Sequence, residues 1–254
     1  MGPHAPHRNR LAAITAALLL GSGLLAQHVP PPAAPPSHPE PQATRKRGTG
    51  EAPTHAPQPE LPPALAFAHV RAGHDAWFAA RTRKEPAPPP PDRPAGAGRY
   101  VCAVLVCADC DFDVPAALGL RRRDVLLLSV PGPFVTPEIA AVLERQVLQE
   151  RLSLVVLLAH PRCAALQPTA AGTPPDALSA RADLVHRDAA RLRLPLAKTL
   201  AQGQRELLLA CSDELRQRAA EDHLRVVAAE VDPSTASITW HLKATDSMPM
   251  APVK

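Results

Sequence analysis

The sequence predicts an α/β fold in which a central, mostly parallel sheet is flanked by helices and ends in an edge hairpin. Continuous apolar runs of strand length, at 99–107, 124–130 and 152–160, alternate with helical patterns. Strands that are apolar on both faces are typical of parallel sheets covered by helices on both sides. Towards the C-terminus, 224–232 and 236–242 are two further β-rich runs separated by a proline-serine turn. These two runs predict the antiparallel hairpin.

Apolar residues at helical spacing predict the helices between the strands. Thr136 and Pro137 mark one start, because threonine is a favoured N-cap and proline fits the first helical turn. The run 207–209 also fits a strand, but the pattern before it favours a helix that ends near Ser212, which can cap the next helix. The predicted helices cover 64–83, 136–151, 177–193, 196–212 and 213–222.

The N-terminal region predicts export. Arg8 and Arg10 precede an apolar run over 11–20 that is followed by small residues, an order typical of a secretory signal. The stretch 24–26 is not a clean cleavage site, so an uncleaved anchor that tethers the chain to a membrane is the alternative, although the run is short for a full span. We assign 1–26 to a signal peptide or anchor, and we expect a periplasmic or secreted protein, membrane-anchored in the second case.

Proline divides the rest of the chain. Many of the 32 prolines fall in 27–63 and in 86–94, and such stretches favour extended polyproline conformations that build no core. We therefore predict a linker over 27–63, one folded domain over 64–245 that carries 86–94 as an insert, and a tail over 246–254.

Charge and aromatic content argue against a nucleic-acid surface. The formal net charge is +4 and aromatic residues make up 3% of the chain, whereas such surfaces combine a dense basic face with aromatic side chains. The sequence therefore predicts no nucleic-acid partner.

Thiols, a histidine and a carboxylate follow two of the predicted strands. Cys107 and Asp109 come after the first strand, and His160 and Cys163 after the third. Ligands of open parallel sheets bind beyond the carboxyl ends of the strands, so these four side chains are expected to meet. Two cysteines and one histidine, with one further position, form a zinc coordination set. The chain has five cysteines, and an odd number in an exported chain argues against a complete disulfide framework.

These motifs resemble the β-class carbonic anhydrases. The likeness lies in Cys107-Ala108-Asp109 and His160-x-x-Cys163, and it extends to three longer segments. The segments are HVRAGHDAWFAAR (69–81), LLLSVPGPFVTPEIAAVLERQV (126–147) and LRVVAAEVDPSTASITWHL (224–242). In the first segment, His74 stands where the family usually has asparagine in the motif Gly-Asn-x-x-Phe.

The resemblance implies a zinc enzyme that interconverts carbon dioxide and bicarbonate. Cys107, His160 and Cys163 would be the zinc ligands. Asp109 would be the catalytic residue next to the zinc-bound water, or a fourth ligand in the family's closed, inactive form. The resemblance also implies a homodimer or a larger homo-oligomer.

The chain departs from the family where the motif Cys-x-Asp-x-Arg should end. Asp111 replaces the arginine of the Asp–Arg dyad, and without that cation Asp109 has reason to move onto the metal. Arg162, or one of the arginines at 121–123, is a candidate substitute, although a solvated cluster is the favoured interpretation of 121–123. Ala164 for glycine, Gly132-Pro133 for Gly-Asn and Pro161-Arg162 for small residues are further departures.

Three functions follow as hypotheses. The first is a zinc carbonic anhydrase, whose activity the loss of the arginine makes uncertain. The second is a catalytically impaired relative that binds zinc for a structural or binding role. The third is a thiol redox protein that uses Cys107 and Cys110, whose Cys-x-x-Cys spacing suits disulfide exchange but lacks the helix start that lowers a thiol pKa. For Cys110 itself we favour packing or an exposed, oxidisable thiol.

Overall fold

The computed structural model describes residues 60–167 and 176–242. The predicted signal or anchor, the linker up to residue 59 and the tail lie outside these residues, as does the loop over 168–175. None of the helices in the two described ranges combines the length and the apolar character needed to cross a bilayer.

Within the described ranges, five strands form one sheet in the order β2-β1-β3-β4-β5, with β1 to β4 parallel and β5 antiparallel to β4. The α/β prediction and the edge hairpin are confirmed. Side chains along β1 and β3 are buried throughout, as expected for strands covered on both faces. The strands are β1 (Cys102–Cys107), β2 (Val125–Val130), β3 (Leu154–Ala159), β4 (Arg225–Val231) and β5 (Ile238–His241).

Six α-helices lie in the same ranges, and five of them were predicted to within two residues at each end. The sixth, α2, is a single turn that Asp113 caps by accepting the N–H of Ala116. Thr136 and Ser212 cap α3 and α6 as expected. The helices are α1 (Pro63–Thr82), α2 (Val114–Ala117), α3 (Pro137–Glu150), α4 (Ala177–Leu192), α5 (Leu196–Cys211) and α6 (Asp213–Ala220).

The two faces of the sheet have separate cores. On one face, Phe67 and Val70 of α1 pack against Val104 and Val156. On the other, side chains of α3, α5 and α6 pack against Leu105 and neighbouring positions of β3 and β4. Alternate residues of each strand therefore serve opposite cores, which follows from the two-residue period of a strand.

His74 ties α1 to two distant segments. Its Nδ1 donates to the carbonyl oxygen of Ala117 (2.8 Å), and its Nε2 accepts the N–H of Ile238 (3.2 Å). A neutral imidazole offers one donor and one acceptor, as an amide side chain also can. This explains physically how histidine serves where asparagine is usual in the resembling family.

The proline-rich insert has no helix or strand over 86–94. Arg93 binds the buried carboxylate of Asp124 at 2.9 Å, and Asp92 lies 3.5 Å from Arg121. These pairs hold the insert against the amino-terminal end of β2.

Candidate metal centre

Cys107 is the last residue of β1 and is 3% exposed. Its sulfur accepts the N–H of Gly132 (3.2 Å) and lies 3.3 Å from the sulfur of Cys163. Cys163 is buried as well, and both thiols share an apolar cluster with Leu200 of α5 and Ala182 of α4. The two sulfurs therefore sit at the carboxyl end of the sheet with an apolar wall behind them.

His160 directly follows β3 and is 2% exposed. Its Nε2 lies 2.8 Å from Oδ1 of Asp109. The other ring nitrogen, Nδ1, is buried and has no hydrogen-bond partner among the described residues. Nε2 is therefore the nitrogen that faces the thiols and the carboxylate.

Asp109 stands two residues beyond β1, and its side chain is 32% exposed. Its Oδ2 accepts the backbone N–H of Ala164 at 2.6 Å, while Oδ1 faces His160. The loop after β1 and the loop after β3 thus meet through this carboxylate. Asp109 is the one member of the cluster that is open to solvent.

The four predicted site residues come together. One ligand atom from each of Cys107, Asp109, His160 and Cys163 lies within 4.8 Å of all the others. Two sulfurs, one imidazole nitrogen and one carboxylate oxygen suit zinc, whereas magnesium and calcium prefer all-oxygen sets. The donor set therefore fits a zinc ion, and its convergence follows from the ends of two adjacent parallel strands.

The thiol groups of Cys107 and Cys163 have different pKa values although both are buried. The S–H of Cys163 donates to Cys107 and lowers the pKa of Cys107 to about 5, against the opposing effect of burial. The same hydrogen bond raises the pKa of Cys163, and a hydrogen bond to Cys107 raises the pKa of His160. The thiol pair therefore loses its first proton readily, and a bound cation would favour loss of the second.

Burial alone would raise the pKa of Asp109. Hydrogen bonds from Cys107, from the N–H of Ala164 and from His160 outweigh that effect, and the pKa is lowered. The carboxylate is therefore ionised at neutral pH and available to a cation or to a water molecule.

No protein-family model and no curated protein matches the sequence. Solved structures do match, among them the β-carbonic anhydrase CafD of the filamentous fungus Aspergillus fumigatus. Two point mutants of CafD and the wild type give TM-scores of 0.51, 0.51 and 0.50 at 16%, 15% and 14% identity. The matches cover 61%, 62% and 61% of this chain and 94%, 95% and 95% of those chains.

The chain has the β-carbonic anhydrase fold. Likeness at this level of identity establishes the fold, whereas the chemistry of the centre depends on its own residues.

Within this β-carbonic anhydrase fold, none of the candidate substitutes for the arginine, Arg162 and 121–123, forms an ion pair with Asp109 among the described residues. Arg162 is exposed, and Arg121 is paired with the insert. Arg122 donates to the carbonyl oxygen of Val125 at the start of β2. The amino-terminal end of the parallel strands, where this contact lies, is opposite the end that carries the centre. The ion-pair partner of Asp109 in the described residues is His160, so a peptide N–H and an imidazole hold the carboxylate.

Cys110 lies apart from the cluster although it is close in sequence. Its side chain packs, with Phe112, against the core on the α1 face of the sheet. Burial raises its pKa to about 12, and the nearby charges of Asp109, Cys107 and Asp111 act in the same direction. Since the thiolate is the reactive form of cysteine, this environment supports the packing role and disfavours disulfide exchange through Cys107 and Cys110.

Sequence reasoning missed two backbone donors. The N–H groups of Gly132 and Ala164 bind Cys107 and Asp109. Every residue except proline carries such a donor, so side-chain identity gave no direct signal. The glycine at position 132 was an indirect signal of a tight turn, and the structure gives it a φ of +68°, a conformation that favours glycine.

Proposed function

We propose that the chain is a zinc-dependent carbonic anhydrase that reversibly hydrates carbon dioxide to bicarbonate and a proton. The observation that supports this most directly is the convergence of Cys107, Asp109, His160 and Cys163 at the carboxyl end of the sheet. The chain also has the same fold as the fungal β-carbonic anhydrase CafD. Zinc in a site of this kind supplies the Lewis acidity that lets water lose a proton near neutral pH.

The chain's own residues divide the remaining tasks. The two thiolates and Nε2 of His160 would hold the ion, and Asp109 would orient the attacking water by accepting its hydrogen bond. The N–H of Ala164 fixes the carboxylate from the side away from His160. The apolar side chains behind the sulfurs exclude bulk water and strengthen the electrostatic interactions in the centre.

A catalytically impaired zinc protein with a structural or binding role is the alternative function. The arrangement of Asp109 favours it, because the carboxylate already lies within the cluster of ligand atoms and is paired with no arginine among the described residues. As a fourth ligand, Asp109 would complete a closed tetrahedral set, which is typical of structural zinc sites.

The proposal includes export and self-association. The basic start and the apolar run over 11–20 support secretion or anchoring through the N-terminal segment. The apolar edge strand β2 supports a homo-oligomer, because it is half-exposed along most of its length.

The deciding experiment measures zinc content and stopped-flow carbon dioxide hydration on the same preparation of the full chain. We expect one zinc per chain and measurable hydration. Cys163→Ser should lose the zinc, whereas Cys211→Ser, which changes an exposed thiol at the end of α5, should keep it. Zinc binding without hydration would select the structural alternative, and a folded chain that binds no zinc would refute both. The intact mass of the exported protein shows whether the signal is cleaved.

A further inference from the structure

The five thiols occupy three different environments. Cys107 and Cys163 share the apolar cluster beneath α4 and α5. Cys102 and Cys110 belong to the core on the opposite face of the sheet. Cys211 is exposed at the end of α5. The side chain of Cys110 therefore packs in a different cluster from that of Cys107, and Cys163 is the thiol that contacts Cys107.

The sulfurs of Cys107 and Cys163 are 3.3 Å apart, which is van der Waals contact. Cys107 ends β1, and Cys163 lies in the loop after the neighbouring parallel strand β3, so the ends of two adjacent strands bring the two sulfurs together. The N–H of Gly132 points at the sulfur of Cys107 and stabilises negative charge on it. Disulfide formation requires the two sulfurs to move from this contact to bonding distance.

We propose that Cys107 and Cys163 form a disulfide when hydrogen peroxide meets the metal-free protein, and that this bond closes the centre to metal. The inference deepens the proposed function and rests on it, because the two thiols are also the proposed zinc ligands. Burial of both sulfurs (3% and 0% exposed) selects the oxidant. A protein oxidant needs direct access to form a mixed disulfide, whereas peroxide is small enough to enter.

The chemistry balances in two steps. In the first, the sulfur of Cys107 attacks one oxygen of the peroxide. The O–O bond breaks, and hydroxide leaves and takes up the thiol proton as water, so that a sulfenic acid remains on Cys107. In the second, the sulfur of Cys163 attacks that sulfur, the S–O bond breaks, and the departing hydroxide leaves with the proton of Cys163 as a second water. Two thiols lose two electrons, and one peroxide becomes two waters.

Metal and disulfide exclude one another at this centre. A cation held by both thiolates withdraws negative charge from the sulfurs and lowers their nucleophilicity towards peroxide. A disulfide offers no thiolate to the cation, and it leaves His160 and Asp109 as an incomplete set. The oxidation state of one cysteine pair therefore decides whether the centre can be loaded.

The test uses the full chain, stripped of metal with a chelator and treated with equimolar hydrogen peroxide. Free thiols are then alkylated, and the peptides are mapped by mass spectrometry with and without dithiothreitol. We expect two of the five thiols to resist alkylation and to appear as a Cys107–Cys163 cross-link. We also expect zinc binding to be absent until dithiothreitol is added, and a sample loaded with zinc beforehand to keep all five thiols.

Two variants sharpen the assignment. Cys110→Ser should form the same cross-link, and Cys163→Ser should form none and should instead accumulate oxygen on Cys107. A cross-link from Cys107 to Cys110 or Cys211 in the wild type would overturn the proposal, as would metal-free protein that keeps all five thiols. If the cross-link forms but the reduced protein binds no zinc, the proposed function fails together with the claim that the disulfide closes the centre to metal, and only the disulfide chemistry stands. Zinc binding without any cross-link refutes the disulfide and leaves the proposed function in place.

Discussion

At the scale of single residues, the carboxylate of Asp109 is held without a dedicated cation. Its two oxygens bind a peptide N–H and an imidazole, and the position where the resembling family has arginine holds the exposed Asp111. A neutral N–H stabilises the negative charge of a carboxylate less than a guanidinium bound through two hydrogen bonds does. We therefore expect Asp109 to bind the proposed metal directly more readily than a carboxylate paired with arginine would, which would displace the reacting water.

Asp111→Arg tests this tendency. The new cation lies two residues from Asp109, and we expect it to pair with the carboxylate and leave the fourth metal position to water. Carbon dioxide hydration should rise by about tenfold, equivalent to about 1.4 kcal/mol of activation free energy. Stopped-flow kinetics measures the rate, and the visible spectrum of the cobalt-substituted protein reports the change of ligands.

Asp111→Asn is the matched control, since it removes the negative charge without supplying a cation. It should leave both the rate and the cobalt spectrum close to those of the wild type. Equal gains from both variants would mean that the charge of Asp111 acts by itself. A wild type as fast as Asp111→Arg would contradict the role assigned to the missing arginine.

The side chains of the centre could be predicted, and their supports could not. Cys107 and Asp109 lie at the end of β1, and His160 and Cys163 lie beyond the end of β3. Parallel topology brings the carboxyl ends of adjacent strands to the same end of the sheet. The N–H of Ala164 is a backbone group in a loop, and its position depends on packing that no local pattern encodes. The sequence alone also allows Arg162 as a partner of Asp109. A loop, unlike a helix or a strand, has no regular repeat from which the direction of a side chain can be predicted.

At the scale of elements, the loop between β2 and α3 supports the centre through Gly132. This residue has a φ of +68°. A Cβ added there would lie 2.5 Å from Cε2 of Phe134 and 2.7 Å from Cβ of Ala165. The loop is therefore closely packed at the point where it donates an N–H to the sulfur of Cys107.

Gly132→Ala should destabilise the protein by about 1–3 kcal/mol, because it adds backbone strain and steric overlap. It should also weaken zinc binding, since the loop must move away from Cys107. Urea unfolding measures the first effect and competition with a chelating dye the second. Unchanged zinc affinity at reduced stability would restrict Gly132 to a packing role.

Gly203→Ala provides the contrast within the same protein. Gly203 lies inside α5, and a Cβ there meets nothing within 4 Å. The substitution should stabilise the helix by about 1 kcal/mol and leave zinc affinity unchanged. An equal loss of zinc affinity in Gly132→Ala and Gly203→Ala would contradict the assignment of this effect to the β2–α3 loop.

Helices that show both a regular spacing of apolar residues and a capping residue were predicted well. Thr136 and Ser212 fixed the starts of α3 and α6, because capping geometry is encoded locally. The run 207–209 was ambiguous between strand and helix, and packing of α5 on β3 and β4 decides for helix. The single turn α2 is too short to show a period, although Asp113 followed by an early proline is a signal that was available.

At the scale of the whole molecule, β2 forms one edge of the sheet. Among the described residues β2 has a neighbour on one side only, its sequence VLLLSV contains no charge or proline, and its side chains beyond Val125 are half-exposed or exposed. Val142 and Leu148 of α3, which shares a core with this strand, are each 43% exposed. Edge strands of soluble proteins usually carry charges or prolines that prevent pairing, so this edge is suited to a second copy of the chain.

Ser129→Lys tests that interface, because it places a charge on the exposed part of β2. In a two-fold pair the new lysines would face one another, and like charges opposed across a sheet are destabilising. We expect the wild type to sediment as a dimer or larger assembly at micromolar concentration, and Ser129→Lys to shift it to monomer. Thr239→Lys puts the same charge on the exposed face of β5 at the other edge and should leave the assembly intact. A monomeric wild type would contradict self-association, and dissociation by Thr239→Lys alone would move the interface to β5.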